Sequence, residues 1–321
     1  MDKNQQLFTR PAPNWVYWGQ SASNLIRMGH CAPTVMQTLL DVSGEQKQWL
    51  VKLISGMPGG IGNTGFECGA ATAPLVLMGL RYGLHEKDQG LPVIVDRGYG
   101  LCRQFTACHK TLECKMIRGK DRFPKHCIRP VCLSPQMYFA SIADHSQPAI
   151  PADVRASYCR IYSYFEEQNF HCARAVLENL GGTTSKREEL LDAVSAFMGG
   201  TLFMGMTCSA FVAGVMAVGF QSGEIENSPS RVIQMLYRMT TGGDAFDERI
   251  NKFNRTMNAG YRLSRWFTRE FGSTLCGAIT GCDFSTKDGV TKYIENEGVT
   301  RCRHIAQLVA GEIENMLQTL Q

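Results

Sequence analysis

Apolar residues recur at helical intervals along most of the chain. Leu25, Ile26, Met28, Val35, Met36, Leu39 and Leu40 keep that spacing across 25–42, with Pro33 placed to open a helix just after Cys31. Phe170, Cys172, Val176, Leu177 and Leu180 mark a shorter helix closed by Gly181-Gly182. Residues 46–55 and 187–197 predict helices leading into two long apolar runs, Ala70–Leu80 and Ala210–Phe220, which read as buried helices; 50–54 also fits a short strand. Further on, 228–240 and 244–272 predict long helices, the second capped by Asp244. Ile305, Ala306, Val309, Ile313, Met316, Leu317 and Leu320 give one apolar face to a last helix opened by Cys302. Exceptions are local: Val93–Val95 suits a strand within the loop Gly90–Gly100, and Pro130 and Pro135 interrupt a helix around Cys127.

The apolar runs belong to a larger repeat. Counted from Cys68 and from Cys208, glycines stand nine, eight and three residues before (Gly59, Gly60, Gly65; Gly199, Gly200, Gly205) and eleven and fifteen after (Gly79, Gly83; Gly219, Gly223). His30-Cys31-Ala32-x-x-Val35 answers His171-Cys172-Ala173-x-x-Val176, and Leu101-Cys102-x-x-x-Thr106-x-Cys108 answers Leu275-Cys276-x-x-x-Thr280-x-Cys282. Cys127 follows Cys108 by 19 residues, as Cys302 follows Cys282 by 20. The chain is an internal duplication. The expected fold class is mainly α: two homologous helical domains, 1–150 and 151–321, forming a pseudo-dimer with Gly-rich cysteine loops, the second carrying a helical insertion at about 224–270. A Pro-containing linker at 145–154 joins them.

Composition narrows the function. A net charge of +4 without a basic block gives nucleic-acid binding little support. The N-terminus lacks the marks of a secretory signal, so a cytoplasmic location is expected. Thirteen cysteines there point to ligands or redox thiols rather than a disulfide framework. The uncharged stretch Met198–Phe220 is long enough to span a membrane, but its glycines and hydroxyl residues, and the polar Asn63 and Glu67 of the first copy, favour a buried loop and helix.

Chemistry gathers on the cysteines. Cys31, Cys68, Cys102 and Cys127 form one quartet and Cys172, Cys208, Cys276 and Cys302 the other, with Cys108 and Cys282 as matched extras. Four thiolates per half suit an iron–sulfur cluster; paired C-x2-4-C ligands of structural zinc are missing in duplicate. Glycines before Cys68 and Cys208 would let backbone N–H groups approach the sulfurs or cofactor, and each cysteine would sit at a helix N-terminus. A low-pKa thiol acting without metal is the alternative. His30 and His171 are candidate ligands or neighbours, while Cys114, Cys132 and Cys159 are unmatched and read as peripheral. Gly60-Ile61-Gly62-Asn63-Thr64-Gly65 also fits a dinucleotide fingerprint, although Leu202 replaces Gly62 in the second copy.

Cys68-Gly69-Ala70-Ala71-Thr72-Ala73, with the flanking Cys-Ala-x-x-Val, Gly-Leu-x-Tyr-Gly and Phe-Gly-x-x-x-Cys strings, resembles a family of redox-active proteins with four scattered cysteines and a CGAxxG motif, related in sequence to split-Soret cytochromes c. The second copy departs further, with Ser209 after Cys208. The resemblance implies two family subunits fused end to end and a redox role. Covalent c-type haem is not expected, since no C-x-x-C-H occurs. The expectation is an iron–sulfur-binding electron carrier with a redox partner protein; a cluster-dependent reductase and homo-oligomerisation stay open.

Overall fold

The computed structural model describes residues 13–120, 125–143, 149–180 and 186–320. Gly181, Gly182 and residues 145–148 of the 145–154 linker lie outside the described residues. In chain order the helices are α1 (Asn14–Met28), α2 (Cys31–Ser43), α3 (Trp49–Leu53), α4 (Gly69–Tyr82), α5 (Val93–His109), α6 (Cys114–Arg118), α7 (Lys125–Ala143), α8 (Ala152–Glu167), α9 (Cys172–Asn179), α10 (Arg187–Ala193), α11 (Ser209–Ser222), α12 (Pro229–Thr241), α13 (Lys252–Phe271), α14 (Cys276–Thr280), α15 (Lys287–Glu295) and α16 (Gly298–Leu320). A two-residue antiparallel pair, β1 (Lys87–Asp88) with β2 (Leu91–Pro92), is the one sheet among the described residues. The protein is mainly α, as its apolar spacing predicts. Among the described residues, no helix is long and apolar enough to cross a membrane.

Four local expectations are corrected. Val93–Val95 begins α5 instead of forming a strand: Ile94, Leu101 and Phe105 are fully buried at helical spacing, and the β-branched run is simply the first turn. Residues 50–54 lie in and just after α3. The helix expected from Asp244 starts only at Lys252, because Asp244 and Asp247 turn their carboxylates back onto the N–H groups of Phe246 (2.9 Å) and Arg249 (3.0 Å), a local alternative to helix. Conversely α7 runs on through Pro130 and Pro135, held by the burial of Val131, Cys132, Tyr138 and Phe139.

The chain divides into two compact units that are not its two repeats. One comprises Met1–Pro74, Leu101–Gln147 and Val218–Tyr261; the other Leu75–Gly100, Pro148–Ala217 and Arg262–Gln321. Each therefore contains segments of both copies. In the first, α1 packs on α2, α7 and α12, and α2 on α7. Gly219 of α11 and Gly223 just after it close against the first copy there, where a Cβ on Gly219 would lie 2.7 Å from the carbonyl oxygens of Lys52 and Leu53. In the second unit α9 packs on α16 and α8 on α15. Gly79 of α4 makes the equivalent approach: a Cβ there would lie 2.6 and 2.9 Å from the carbonyl oxygens of Asp192 and Ala193. The glycines eleven and fifteen residues after each central cysteine thus let a helix of one repeat lie against the backbone of the other.

Candidate metal centre

Each copy builds its site on a loop with an unusual backbone. Gly59, Gly60, Ile61, Gly62 and Asn63 all have positive φ, and so do Gly199, Gly200, Thr201, Leu202 and Phe203. Five consecutive left-handed residues make a left-handed turn, which costs L-residues about 1–2 kcal/mol each. Ile61 and Thr201, both β-branched, are the most strained members. Loop amides bond back across the turn, as in Gly62 N–H to Gly56 O (2.8 Å) and Leu202 N–H to Ala196 O (2.9 Å). Strain kept at the same place in both copies marks a functional loop. No strand leads into Gly60-x-Gly62-x-x-Gly65; α3 does, so the dinucleotide reading loses its structural context.

The loop then delivers its cysteine to an isolated antiparallel bridge. In the first copy Cys68 N–H donates to Leu112 O (2.7 Å) and Cys114 N–H to Phe66 O (2.6 Å), around the bridge Glu67–Glu113. In the second, Cys208 N–H donates to Thr274 O (2.8 Å) and Cys276 N–H to Met206 O (2.7 Å), around Thr207–Leu275. These bonds make Cys114, not Cys102, the counterpart of Cys276. Gly60 and Gly200 are needed there: a Cβ would fall 2.7 Å from Cys114 Cβ and 2.6 Å from Cys276 Cβ, respectively.

Two sets of four thiols result. Cys172, Cys208, Cys276 and Cys302 line one cavity, the quartet read from the sequence. In the first unit Cys68 is within electrostatic reach of Cys31, Cys114 and Cys127, so Cys114 takes the place assigned to Cys102. Cys102 is buried midway along α5, where the charge it feels is that of Glu67. Cys108 is exposed near the end of the same helix. Cys282 lies within electrostatic reach of Cys276 and Cys302 but lines a separate small cavity and turns its thiol to Thr280 O (3.3 Å). A signal for Cys114 was present: Gly98-Tyr99-x-Leu101-x-Arg103-x-Phe105-Thr106 precedes it as Gly260-Tyr261-x-Leu263-x-Arg265-x-Phe267-Thr268 precedes Cys276, each with seven residues intervening.

Helix ends surround the sulfurs. Cys31, Cys172, Cys114 and Cys276 open α2, α9, α6 and α14, while Cys68 and Cys208 immediately precede α4 and α11. Six of the eight thus sit where helix dipoles favour negative charge. Cys127 comes instead from the first turn of α7 and Cys302 from the second turn of α16. Backbone N–H groups of Gly59, Ala32 and Gly69 bond toward the Cys31 sulfur, and that of Gly199 toward Cys172. Ala70 N–H serves Cys68, and Ala210 and Phe211 N–H serve Cys208. Of the six loop glycines, Gly59 and Gly199 are therefore donors and Gly60 and Gly200 make room. Gly65 and Gly205 end the turn, their carbonyls accepting from Lys115 N–H (3.0 Å) and Gly277 N–H (2.9 Å).

Burial sets the state of the free thiols. It pushes Cys114, Cys127 and Cys208 up to about 12, with neighbouring thiols adding to the rise. Cys68, Cys172 and Cys276 are raised well above their ordinary value for the same reasons in the same order. Such thiols stay protonated near neutral pH and are poor nucleophiles. Neither candidate histidine turns to sulfur. His30 faces Met28 O (3.1 Å) through Nδ1 and Asn254 Oδ1 (2.7 Å) through Nε2; His171 Nδ1 accepts from Arg174 N–H and Nε2 donates to Ser195 O, both at 3.2 Å. Among the described residues, no three Cys, His, Asp or Glu side chains are arranged to hold a single metal ion.

Fold and site together define a class: a helical, internally duplicated protein with two sets of four buried or half-buried cysteines. The family model described as "Putative redox-active protein (C_GCAxxG_C_C)" matches residues 29–137 and again 170–316, and the chain belongs to that family, with two copies of its unit. No curated protein matches the chain, and no solved structure does.

Proposed function

We propose that each thiol set holds an iron–sulfur cluster and that the protein is an electron carrier. The observation that carries the reading is the duplicated donor set: four convergent cysteine sulfurs, three of them at helix N-termini and two of them receiving backbone N–H groups, built twice from differing sequence. Cysteine thiolates are the ordinary ligands of such clusters, and a cluster spreads its sulfurs around several irons. A lone zinc would draw them to about 3.8 Å from one another, given Zn–S bonds of about 2.3 Å.

When bound, the cluster supplies reversible one-electron chemistry. The chain does the rest. Cys31, Cys68, Cys114 and Cys127 in one unit, and Cys172, Cys208, Cys276 and Cys302 in the other, give up their protons to become ligands, so loading is favoured by higher pH. The N–H groups of Gly59, Ala32, Gly69 and Gly199 then offset negative charge on the sulfurs, and Ala210, Ile279 and Ile305 limit water at the second set. Anaerobic purification with iron, zinc and acid-labile sulfide counts tests the reading. Brown protein with comparable iron and sulfide is expected; colourless protein that takes up neither on anaerobic reconstitution would refute it.

A further inference from the structure

The two thiol sets differ at one sulfur. Tyr293, on α15, is 2 % exposed and donates its hydroxyl to Cys302 Sγ at 3.2 Å. Its ring is wedged against Phe284, Phe165 and Tyr164, with centroids 5.1, 6.0 and 6.4 Å away. The hydroxyl is therefore held in place by packing rather than left to rotate with a surface side chain. The first copy has no equivalent tyrosine. Cys276 and Cys302 are 26 residues apart and enclose α15, whereas Cys114 and Cys127 are 13 apart with no tyrosine between them. A guanidinium, by contrast, is near the last cysteine of both sets, Arg118 for Cys127 and Arg301 for Cys302, so the nearby positive charge is shared.

We propose that Tyr293 is a positioning residue that makes the two sets electronically unequal: by donating to the Cys302 sulfur it raises the reduction potential of the second site above that of the first. A donor to a ligating sulfur stabilises the reduced form more than the oxidised form, because the added electron increases negative charge on the sulfurs. The step is a simple one-electron reduction, with the electron supplied by an external low-potential reductant and no bond made or broken. Tyr293 keeps its proton throughout. The inference rests on the iron–sulfur reading, which it deepens by giving the two sites different places in an electron path.

The test uses the full chain, reconstituted anaerobically and titrated with dithionite under potential control. Cys114→Ser isolates the second site, and adding Tyr293→Phe should lower its midpoint by about 59 mV, a tenfold change in a one-electron equilibrium. Cys276→Ser isolates the first site, whose midpoint should not move on the same substitution. An unchanged midpoint in the Cys114→Ser background, at equal iron and sulfide content, overturns the proposal while leaving the cluster reading standing. Iron-free, sulfide-free protein in every background overturns both. Should Tyr293→Phe fail to fold, 3-fluorotyrosine at position 293 keeps the ring and strengthens the donor; the midpoint should then rise, and an unmoved midpoint counts against Tyr293.

Discussion

Cys102 and Cys114 are both buried and lie on consecutive helices, yet replacing them should have opposite consequences. Cys114 shares its surroundings with Cys31 and Cys127 and is pressed against Gly60, so Cys114→Ser removes one of four convergent sulfurs and leaves a hydroxyl that soft metals bind poorly. The second set is untouched. Iron and sulfide per chain should fall to about half, on the premise of four cysteines per cluster. Cys102→Ala removes a sulfur that touches no other member of the set. Its cost is lost burial, about 1 kcal/mol by analogy with a methylene, which lowers the melting temperature by roughly 2–4 °C. Iron and sulfide should stay at the wild-type level. Parallel reconstitution of the two variants, with metal and sulfide counts and thermal melts on the same samples, gives the comparison. Halved metal in Cys102→Ala beside full metal in Cys114→Ser would refute the assignment of Cys114 to the first site.

The close approach of α11 predicts that Gly219→Ala, whose Cβ would meet two carbonyl oxygens at 2.7 Å, costs about 1–3 kcal/mol, since rigid backbone cannot yield as a side-chain end can. Gly311→Ala in α16 meets nothing within 4 Å and should gain about 1 kcal/mol of helix propensity; equal melting temperatures for the two variants would sink the packing argument. A third expectation concerns pH. Burial, then the Arg174 charge, lowers His171 to about 3 from 6.5, so the unfolded chain takes up a proton that the folded chain refuses. Its stabilising contribution is complete above pH 6.5 and is lost as pH falls toward 3, at about 1.4 kcal/mol per unit. Denaturant midpoints of metal-free protein at pH 7 and pH 5 should show the slope, and His171→Gln should reduce it; an identical slope in the variant would count against a buried neutral His171.

What could be read in the sequence depended on whether the signal was local. Helical spacing located α2, α4, α9, α11, α12 and α16, because each buries a periodic face within a single segment. The glycine frames around Cys68 and Cys208 pointed to the loops that approach sulfur, and the second quartet came out whole. The first quartet failed at one member for a positional reason. Matching Leu101-Cys102 to Leu275-Cys276 rewards a dipeptide and a spacing, whereas the longer match of 98–106 to 260–268 sets Cys114 opposite Cys276, and the bond that fixes this alignment pairs Phe66 with Cys114 across 48 residues. Left-handed φ at Ile61, Thr201 and Phe203 was equally hidden, since residue type there argues against that conformation.

The repeated glycines carry two different meanings that a sequence count merges. Those nine and eight residues before each central cysteine serve sulfur, while those eleven and fifteen after it serve contact between the copies. In one unit α13 meets the loop backbone, with the Cβ position of Gly62 only 2.7 Å from the Gly260 carbonyl carbon; in the other the Leu202 side chain covers Gly98 of α5. The same loop position has changed from glycine to leucine, while the facing helix keeps its glycine in both copies. Volume has therefore shifted across an equivalent contact without altering the left-handed turn that precedes each central cysteine. Each thiol loop is thus backed by a helix of the other repeat. The fused copies are structurally interdependent, and each is free to diverge at its own site, as α15 and Tyr293 have in the second.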